Sequence, residues 1–578
     1  MSNKITGAEA MIKGLLAEGV DTIFGYPGGA ILPFYDKLWS YRDSLRHILT
    51  RHEQGAIHAA QGYARASGRT GVVVVTSGPA ATNIITGLSD ALLDSTPLVI
   101  ITGQVAVQYL GSDAFQETDV VGITQPISKW AYQIRRPDEI EWALSRAFYI
   151  ASTGRPGPVV LDFAKDAQVG LIEPAYKPCT FIRSYNPLPE VNPASIAAAS
   201  DLINRAERPM IIAGHGVMIA NAEQELLQLA ERADIPVINT LLGLSTIPTD
   251  HRLFKGMAGM HGNIGANYNT NRADVIVAIG MRFDDRVTGV TELYAPDAKI
   301  VHIDIDAAEF DKNITADVHV HADARQALDA LLRLVGDAKH DDWIESFDRH
   351  AEVERVAVVQ PEAFPEPDAC GGKMKMGEVA RRVSEATGNR AILVSDVGQN
   401  QMLSARYFKF TEPKSIITSG GLGTMGFSLP AAIGAKIGAP ERTVCCFTGD
   451  GGFQMTLQEL GTIMEYGIGV KIIVLNNNFL GNVRQWQELF FEGRFSNTPL
   501  VNPDFIALAA AYSIPGEHVA TRADLDAAIE RMIAATGSYI LDVNIDETDM
   551  VFPMTPVGKA VDHIMLNRNL RYTPDFNG

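Results

Sequence analysis

CFTGDGGFQMTLQELGTIMEYGIGVKIIVLNNNFLGNVRQW, Cys446 to Trp486, is the stretch whose reading decides the fold. Val444 to Phe447 predicts a buried strand, Gly449 to Gly452 a Gly-Asp-Gly-Gly turn, and Met455, Leu457, Leu460 and Ile463 the apolar face of one amphipathic helix. Val470 to Leu475 predicts a second apolar strand, ending at Asn476, Asn477 and Asn478. Such a strand, helix, strand unit is parallel, and open parallel sheets bind ligands beyond the carboxyl ends of their strands, where these polar residues fall.

One carboxylate and one amide oxygen make a partial cage for a hard octahedral cation. Mg²⁺ typically takes a few protein oxygens and the rest from substrate phosphates and water, so Asp450 and Asn477 are candidate ligands. Gly449, Gly451 and Gly452 would let the backbone approach a diphosphate at the positive end of the following helix. An ordinary strand-to-helix connection could also carry these glycines. The Asn-Asn pair at this distance is the more specific signal.

At 578 residues the chain exceeds one hydrophobic core, and its composition, 46% hydrophobic and 20% charged, is that of an ordinary globular protein. A formal net charge of −19 argues against nonspecific binding of nucleic acid or of an anionic membrane surface. The four cysteines, Cys179, Cys370, Cys445 and Cys446, have neither zinc-ligand nor disulfide-framework spacing, which favours a reducing compartment. The amino terminus lacks a signal-peptide core, and apolar runs such as Val72 to Val75 are too short to span a bilayer. A soluble cytoplasmic protein is expected.

Strand and helix patterns alternate from the start: a helix over Ala8 to Glu18, a strand over Thr22 to Phe24, and a turn at Gly25 to Gly29. Buried strands at Val72 to Thr76 and Leu98 to Thr102 flank a helical stretch, Ala81 to Leu93. Pro-rich segments at Glu173 to Pro193 and Gln360 to Gly372 read as linkers. The expected architecture is α/β, three doubly wound parallel-sheet domains at 1–172, 194–340 and 373–555, with a polar, mobile tail at 556–578.

Arg51-His52-Glu53-Gln54 leads into a helical run, Ala59 to Ala66. A zinc-protease motif would need histidine at position 56, which is alanine. Glu53 is therefore either a solvated charge at a helix start, where carboxylates are favourable, or a functional acid. In the middle third, MIIAGHGVM places a strand before Gly214 and Gly216, but Ile219 stands where a dinucleotide fingerprint wants its third glycine.

GDGGFQM with NNNFLG resembles the thiamin-diphosphate and magnesium motif of thiamin-dependent enzymes. Together with GYPGGA (25–30), RHEQGA (51–56), TSGPAATN (76–83), GSDAFQE (111–117), GMHGN (259–263), RFDDRVTG (282–289), HIDID (302–306) and GGLGTMGFSLPAAIGA (420–435), it resembles the catalytic subunits of the acetohydroxyacid, or acetolactate, synthase family over nearly the whole chain. RFDDRVTG is the most discriminating element.

The resemblance implies a carboligation in which pyruvate loses carbon dioxide and its two-carbon remainder is joined to a second 2-ketoacid, pyruvate or 2-ketobutyrate, in branched-chain amino-acid biosynthesis. Glu53 would hydrogen-bond the pyrimidine N1′ of thiamin diphosphate and set its tautomer. Arg286 would bind the acceptor carboxylate, a role suited to a planar bidentate donor, while Trp486 and Met260 shape the pocket for its alkyl group. Gly29, Phe115, Gln116 and Lys165 would also line the active site. Pro27, Gly398, Gln399, Asn400, Gly423, Met425, Leu480 and Gly481 would join the thiamin site, and Phe479 would join Asp450 and Asn477 at Mg²⁺.

The same resemblance implies FAD in the middle domain, near Arg155, Gly214, Gly216, Thr240, His261, Gly280, Arg282, Asp284, Arg286, Asp304, Ile305 and Asp323. It also implies a homodimer or homotetramer, because in this family the glutamate and the diphosphate site come from different chains, and a small regulatory subunit as a partner. Ala80, Ala164, Asn400 and Asn482 depart from the family pattern. Pyruvate oxidases share the cofactors, but Arg286 and Trp486 argue for a bound acceptor. Glyoxylate carboligases lack the glutamate present here at position 53. A noncatalytic paralogue would be expected to lack Glu53, Asp450 or Asn477.

Overall fold

The computed structural model describes residues 4–573. Three six-stranded sheets carry the chain, and every strand pair within them is parallel. Their central strands, such as Gly71–Val75, Val275–Ile279 and Lys471–Asn476, are runs of Val, Ile and Leu because helices cover both faces.

The first sheet runs Arg46–Leu49, Thr22–Tyr26, Gly71–Val75, Leu98–Gln104, Pro158–Ala164, Trp130–Ile134 in space, and the third repeats that connectivity from Ile416–Thr418 to Gly516–Val519. The middle sheet differs. Its order, Phe254–Met257, Val237–Asn239, Pro209–Ala213, Val275–Ile279, Lys299–Asp304, Val318–His321, is that of dinucleotide-binding sheets. In each sheet the chain reverses direction beside its first strand, opening a crevice at the carboxyl ends. A two-stranded antiparallel ladder, Ile5–Thr6 with Leu171–Ile172, ties the ends of the first unit.

Helix Glu53–Ser67 of the first unit crosses helix Ser428–Gly438 of the third at closest approach. A Cβ on Gly62 would lie 1.9 Å from Ala431 O, and one on Gly434 1.7 Å from Ala59 O. Glycine at both positions lets the backbones meet and fixes the two units to each other.

Several expectations are corrected. The stretch Ala81 to Leu93 forms two helices, Pro79–Asn83 and Ile85–Leu93, separated at Ile84 (φ −84°, ψ −9°), where the helical ladder breaks. The Gly449 to Gly452 turn does not form: the strand runs to Gly449, which caps a helix beginning at Asp450. That helix does not continue through Ile463. Thr456 leaves helical geometry (φ −137°), its hydroxyl donates to Gly426 O at 2.8 Å, and a 3₁₀ turn, Leu457–Glu459, precedes a second helix, Leu460–Tyr466. The kink leaves Met455 56% exposed. The helix expected over Ala59 to Ala66 starts earlier, at Glu53, because His52 caps it, its Nδ1 accepting from Gln54 N at 3.1 Å.

The second Pro-rich segment is not a simple linker. Gln360–Ala363 continues the helical run from Asp341, and Ala363 is buried in the third unit's core. Helix Asp341–Glu354 packs Trp343, Ile344 and Phe347 on the middle sheet. Residues 556–573 are not a mobile tail: Val561, Ile564, Met565 and Leu566 are buried against the middle unit, and Tyr572 packs edge-on against Tyr268. The hydrophobic effect decides this, since these apolar residues punctuate a polar segment. Positions 574–578 of the expected tail lie outside the described residues.

Candidate active site

A cavity of about 810 Å³ opens between the carboxyl ends of the middle and third sheets. On its third-sheet side, Asp450 is the first residue of a helix and is almost fully buried. Its Oδ2 accepts from Asn502 Nδ2 at 2.7 Å, and the same amide lies 2.9 Å from Asn476 Oδ1. Burial pushes the Asp450 carboxyl up to about 6, against the opposing pull of the Asn502 hydrogen bond. Asn477, also buried, orients its Oδ1 by accepting from Phe479 N at 3.1 Å.

The cradle for a phosphate group is built around these ligands. Gly398 (φ +100°) and Gly423 (φ +73°) adopt conformations that favour glycine. A Cβ on Gly481 would lie 2.1 Å from Gln399 Oε1, so that approach also requires glycine. Gly451 sits against Leu480 and Met425, and Gly449 and Gly452 complete the wall. Gln399 Nε2 donates to Gln485 Oε1 at 3.0 Å and to Asp549 O at 2.9 Å. Gln399 Oε1, Asn482 Oδ1 and Trp486 Nε1 are buried without partners, and all three residues line the cavity. Unpaired buried polar atoms of this kind fit a polar ligand. Asn400 lines the cavity, and its amide donates to Asp396 O at 2.9 Å.

On the middle-sheet side, Gly214 and Gly280 follow the strands that flank the crevice. A Cβ on Gly214 would lie 2.3 Å from Gly280 O and one on Gly216 2.6 Å from Gly280 Cα, so the glycines bring the two strand ends together. Gly214 lies beneath the cavity surface, whereas Gly216, Thr240, Gly280, Arg282, Asp284, Ile305 and Asp323 line it. Burial pushes the His261 imidazole down to about 4, so it is neutral near pH 7, and its Nδ1 has no partner. Burial pushes Asp304 up to about 7. Arg155 reaches across from the first unit, donating to Glu309 Oε1 at 2.6 Å and Asp306 Oδ2 at 3.2 Å. A neutral histidine acceptor, two arginines and a glycine floor in a dinucleotide-type crevice fit FAD.

Between the halves stand Met260, Arg286 and Trp486. Met260 is fixed at both backbone ends, its N donating to Arg286 O and its O accepting from Thr555 N, each at 2.7 Å. The Arg286 guanidinium, 3.3 Å from Asp285, is mostly exposed at the mouth and available to an incoming anion. Trp486 packs edge-on against Phe490.

The remaining sequence-predicted residues, Pro27, Gly29, Glu53, Phe115, Gln116 and Lys165, do not line this cavity. They gather at the carboxyl ends of the first sheet. Ala30 N, beside Gly29, donates to Thr76 Oγ1 at 3.2 Å, and Gln116 (φ +61°) lies against Gly78, where a Cβ would come within 2.8 Å of Gln116 O. Lys165 begins the helix that follows strand Pro158–Ala164. Glu53 Oε2 accepts from Asn83 Nδ2 at 3.0 Å, and Phe115 is 88% exposed. Reasoning from sequence assigned no role to Asn83 or Asn502. Asn83 closes the quoted TSGPAATN motif, but Asn502 precedes a proline in a segment without periodicity and carries no signal of its own.

Family models match along the chain in order: the thiamine pyrophosphate enzyme N-terminal TPP binding domain at residues 5–123, the central domain at 196–331, and the C-terminal TPP binding domain at 396–543. The chain is 46% identical to the probable acetolactate synthase large subunit of Methanocaldococcus jannaschii, over 97% of this chain and 95% of that one. It is 42% identical to the acetolactate synthase large subunit of Haemophilus influenzae, and 40% identical to the isozyme 3 large subunit of Escherichia coli, each over 98% of this chain and 99% of the relative. On that identity over essentially its full length, the chain belongs to the acetolactate synthase large-subunit family of thiamine pyrophosphate enzymes.

Proposed function

We propose that the chain condenses pyruvate with a second 2-ketoacid, giving 2-acetolactate from pyruvate and 2-aceto-2-hydroxybutyrate from 2-ketobutyrate, at the entry to branched-chain amino-acid biosynthesis. The observation that carries this reading is one cavity with two kinds of equipment. Asp450 and Asn477 stand in a glycine cradle on one wall, and Arg286, Trp486 and Met260 stand between the cavity's two halves.

Thiamin diphosphate, when bound, supplies a carbon that can add to a keto group and hold the charge released by loss of carbon dioxide. Asp450 Oδ, Asn477 Oδ1 and the Phe479 carbonyl would hold Mg²⁺ against its diphosphate. Glu53 would keep a proton at the pyrimidine N1′. Arg286 would bind the carboxylate of the second ketoacid as a bidentate donor, and Trp486 and Met260 would limit the space for its alkyl group. The dinucleotide-type middle sheet, neutral His261 and Arg282 support FAD as a second cofactor.

The split of predicted residues between the cavity and the separate face around Glu53 supports at least a homodimer, in which Glu53, Gly29, Phe115, Gln116 and Lys165 of one copy complete the cavity of the other. Exposed Leu32, Tyr109 and Phe115 beside that face, and Leu422, Met455 and Val483 beside the cavity, provide apolar surface for such a contact. A small regulatory subunit is a further proposed partner, because the relatives are named large subunits. No helix among the described residues is long and apolar enough to cross a membrane, and we place the enzyme in the cytoplasm.

Product analysis tests the function. The purified chain with thiamin diphosphate, Mg²⁺ and FAD should form acetolactate anaerobically from pyruvate, and acetohydroxybutyrate when 2-ketobutyrate is added, without net flavin reduction. Acetate or acetyl phosphate with reduced FAD would contradict it.

A further inference from the structure

The residues leading into Glu53 are held by the third unit. Glu459 is fully buried, and its carboxylate accepts from Arg51 N at 3.0 and 3.1 Å and from His52 N at 3.1 Å. Thr462 Oγ1 donates to the same carboxylate at 2.7 Å. Two supporting contacts lie alongside: Leu49 N donates to Tyr466 Oη at 2.9 Å, and Arg51 donates back to Gly461 O at 3.1 Å. The 3₁₀ turn Leu457–Glu459 aims the carboxylate in this direction. Gly55 leaves room for it, since a Cβ there would lie 2.2 Å from Glu459 Oε1. Backbone N–H groups just ahead of a helix have no helical partner, and a buried carboxylate satisfies them strongly.

We propose that Glu459 is a positioning residue for Glu53. It fixes the two peptide units before Glu53 and so sets where that carboxylate stands when presented to the cofactor. Asn83 then fixes Oε2. Glu459 ends the 3₁₀ turn that follows the kink at Thr456, nine residues after Asp450, so one short stretch of chain carries the metal ligand of this chain's cavity and the clamp on its Glu53. The inference rests on the reading of Glu53 given above.

Three variants of the full chain test it: Glu459→Ala, Glu459→Gln and Gly55→Ala. In the cofactor-free protein, amide hydrogen exchange at residues 51 and 52 should accelerate in Glu459→Ala and Gly55→Ala, but little in Glu459→Gln, whose Oε1 can accept from both amides. With thiamin diphosphate and Mg²⁺ bound, hydrogen-deuterium exchange at the cofactor's C2 should slow roughly 10- to 100-fold in the first two, the scale of a misplaced catalytic group. Cofactor Kd should change far less than C2 exchange, because the Asp450 and Asn477 wall that holds the diphosphate is untouched.

Gly55→Ala gains helix propensity, so a loss there reports the displaced carboxylate and not a weakened helix. Adding it to Glu459→Ala should cost nothing more. Unchanged amide protection and C2 exchange in Glu459→Ala would overturn the proposal, as would C2 exchange that falls only in step with cofactor affinity. A wild-type chain that binds the cofactor without exchanging C2 would overturn the reading of Glu53 itself, and the positioning role with it.

Discussion

Asn502 Nδ2 donates to Asp450 Oδ2 across 2.7 Å, the one side-chain hydrogen bond onto a carboxyl that also accepts from the Gly451 and Asn478 backbone. This hydrogen bond orients a buried acid that would otherwise resist ionising. Outer partners of metal ligands are commonly worth 10- to 100-fold in metal affinity. Asn502→Ala should weaken Mg²⁺ binding in the presence of thiamin diphosphate by about 10-fold or more, as titration of the metal would show. An unchanged Mg²⁺ Kd would remove Asn502 as a support of the metal site.

The same carboxyl gives a pH dependence. Burial raises Asp450 to about 6, so below that pH the proton competes with the cation. Mg²⁺ affinity should be level above about pH 7 and fall toward tenfold per unit below about 6. Isothermal titration at several pH values measures this directly, and the loss should run toward acid, not alkali.

Much of this site was legible in the chain, for a physical reason. Asp450 and Asn477 each end a strand of one parallel unit, so neighbours in sequence fix their relation, and buried strands announce themselves as runs such as Val72 to Val75. The kink at Thr456 was not legible, because a hydroxyl bond to Gly426, a residue distant in sequence, decides it. Asn502 and Glu459 were missed likewise: their partners, Asp450 and the Arg51 and His52 amides, are brought to them only by tertiary packing. The packing of residues 556–573 is not legible either, because their apolar residues are scattered through polar ones. The exposed face around Glu53 follows from no local pattern.

The helix crossing of the first and third units predicts a stability effect. Gly434→Ala would drive a Cβ to 1.7 Å from Ala59 O, a backbone atom that cannot swing aside. Overpacking of this kind costs about 1–3 kcal/mol or more, despite the gain in helix propensity. Thermal unfolding should move to lower temperature, whereas Gly537→Ala, with nothing near its Cβ, should leave it nearly unchanged.

At the cavity mouth, Arg286→Ala should raise the concentration of acceptor ketoacid required far more than it slows carbon dioxide release from pyruvate. Trp486→Leu should shift the preference for 2-ketobutyrate over pyruvate by about 1–3 kcal/mol, the scale of a methylene in an apolar pocket. Acceptor saturation curves set against carbon dioxide release check the first, and competition between the two acceptors, read as a product ratio, checks the second.

Complementation between two inactive chains tests the central claim most directly, namely that the Glu53 face of one copy and the Asp450 cavity of another form one active site. Glu53→Ala and Asp450→Ala chains, each inactive alone, would be unfolded together, refolded as a mixture and assayed for acetolactate. The account predicts recovery toward a quarter of wild-type activity, since half of the random dimers are mixed and each mixed dimer holds one intact site. No recovery from a mixture shown to contain the mixed dimer would contradict it.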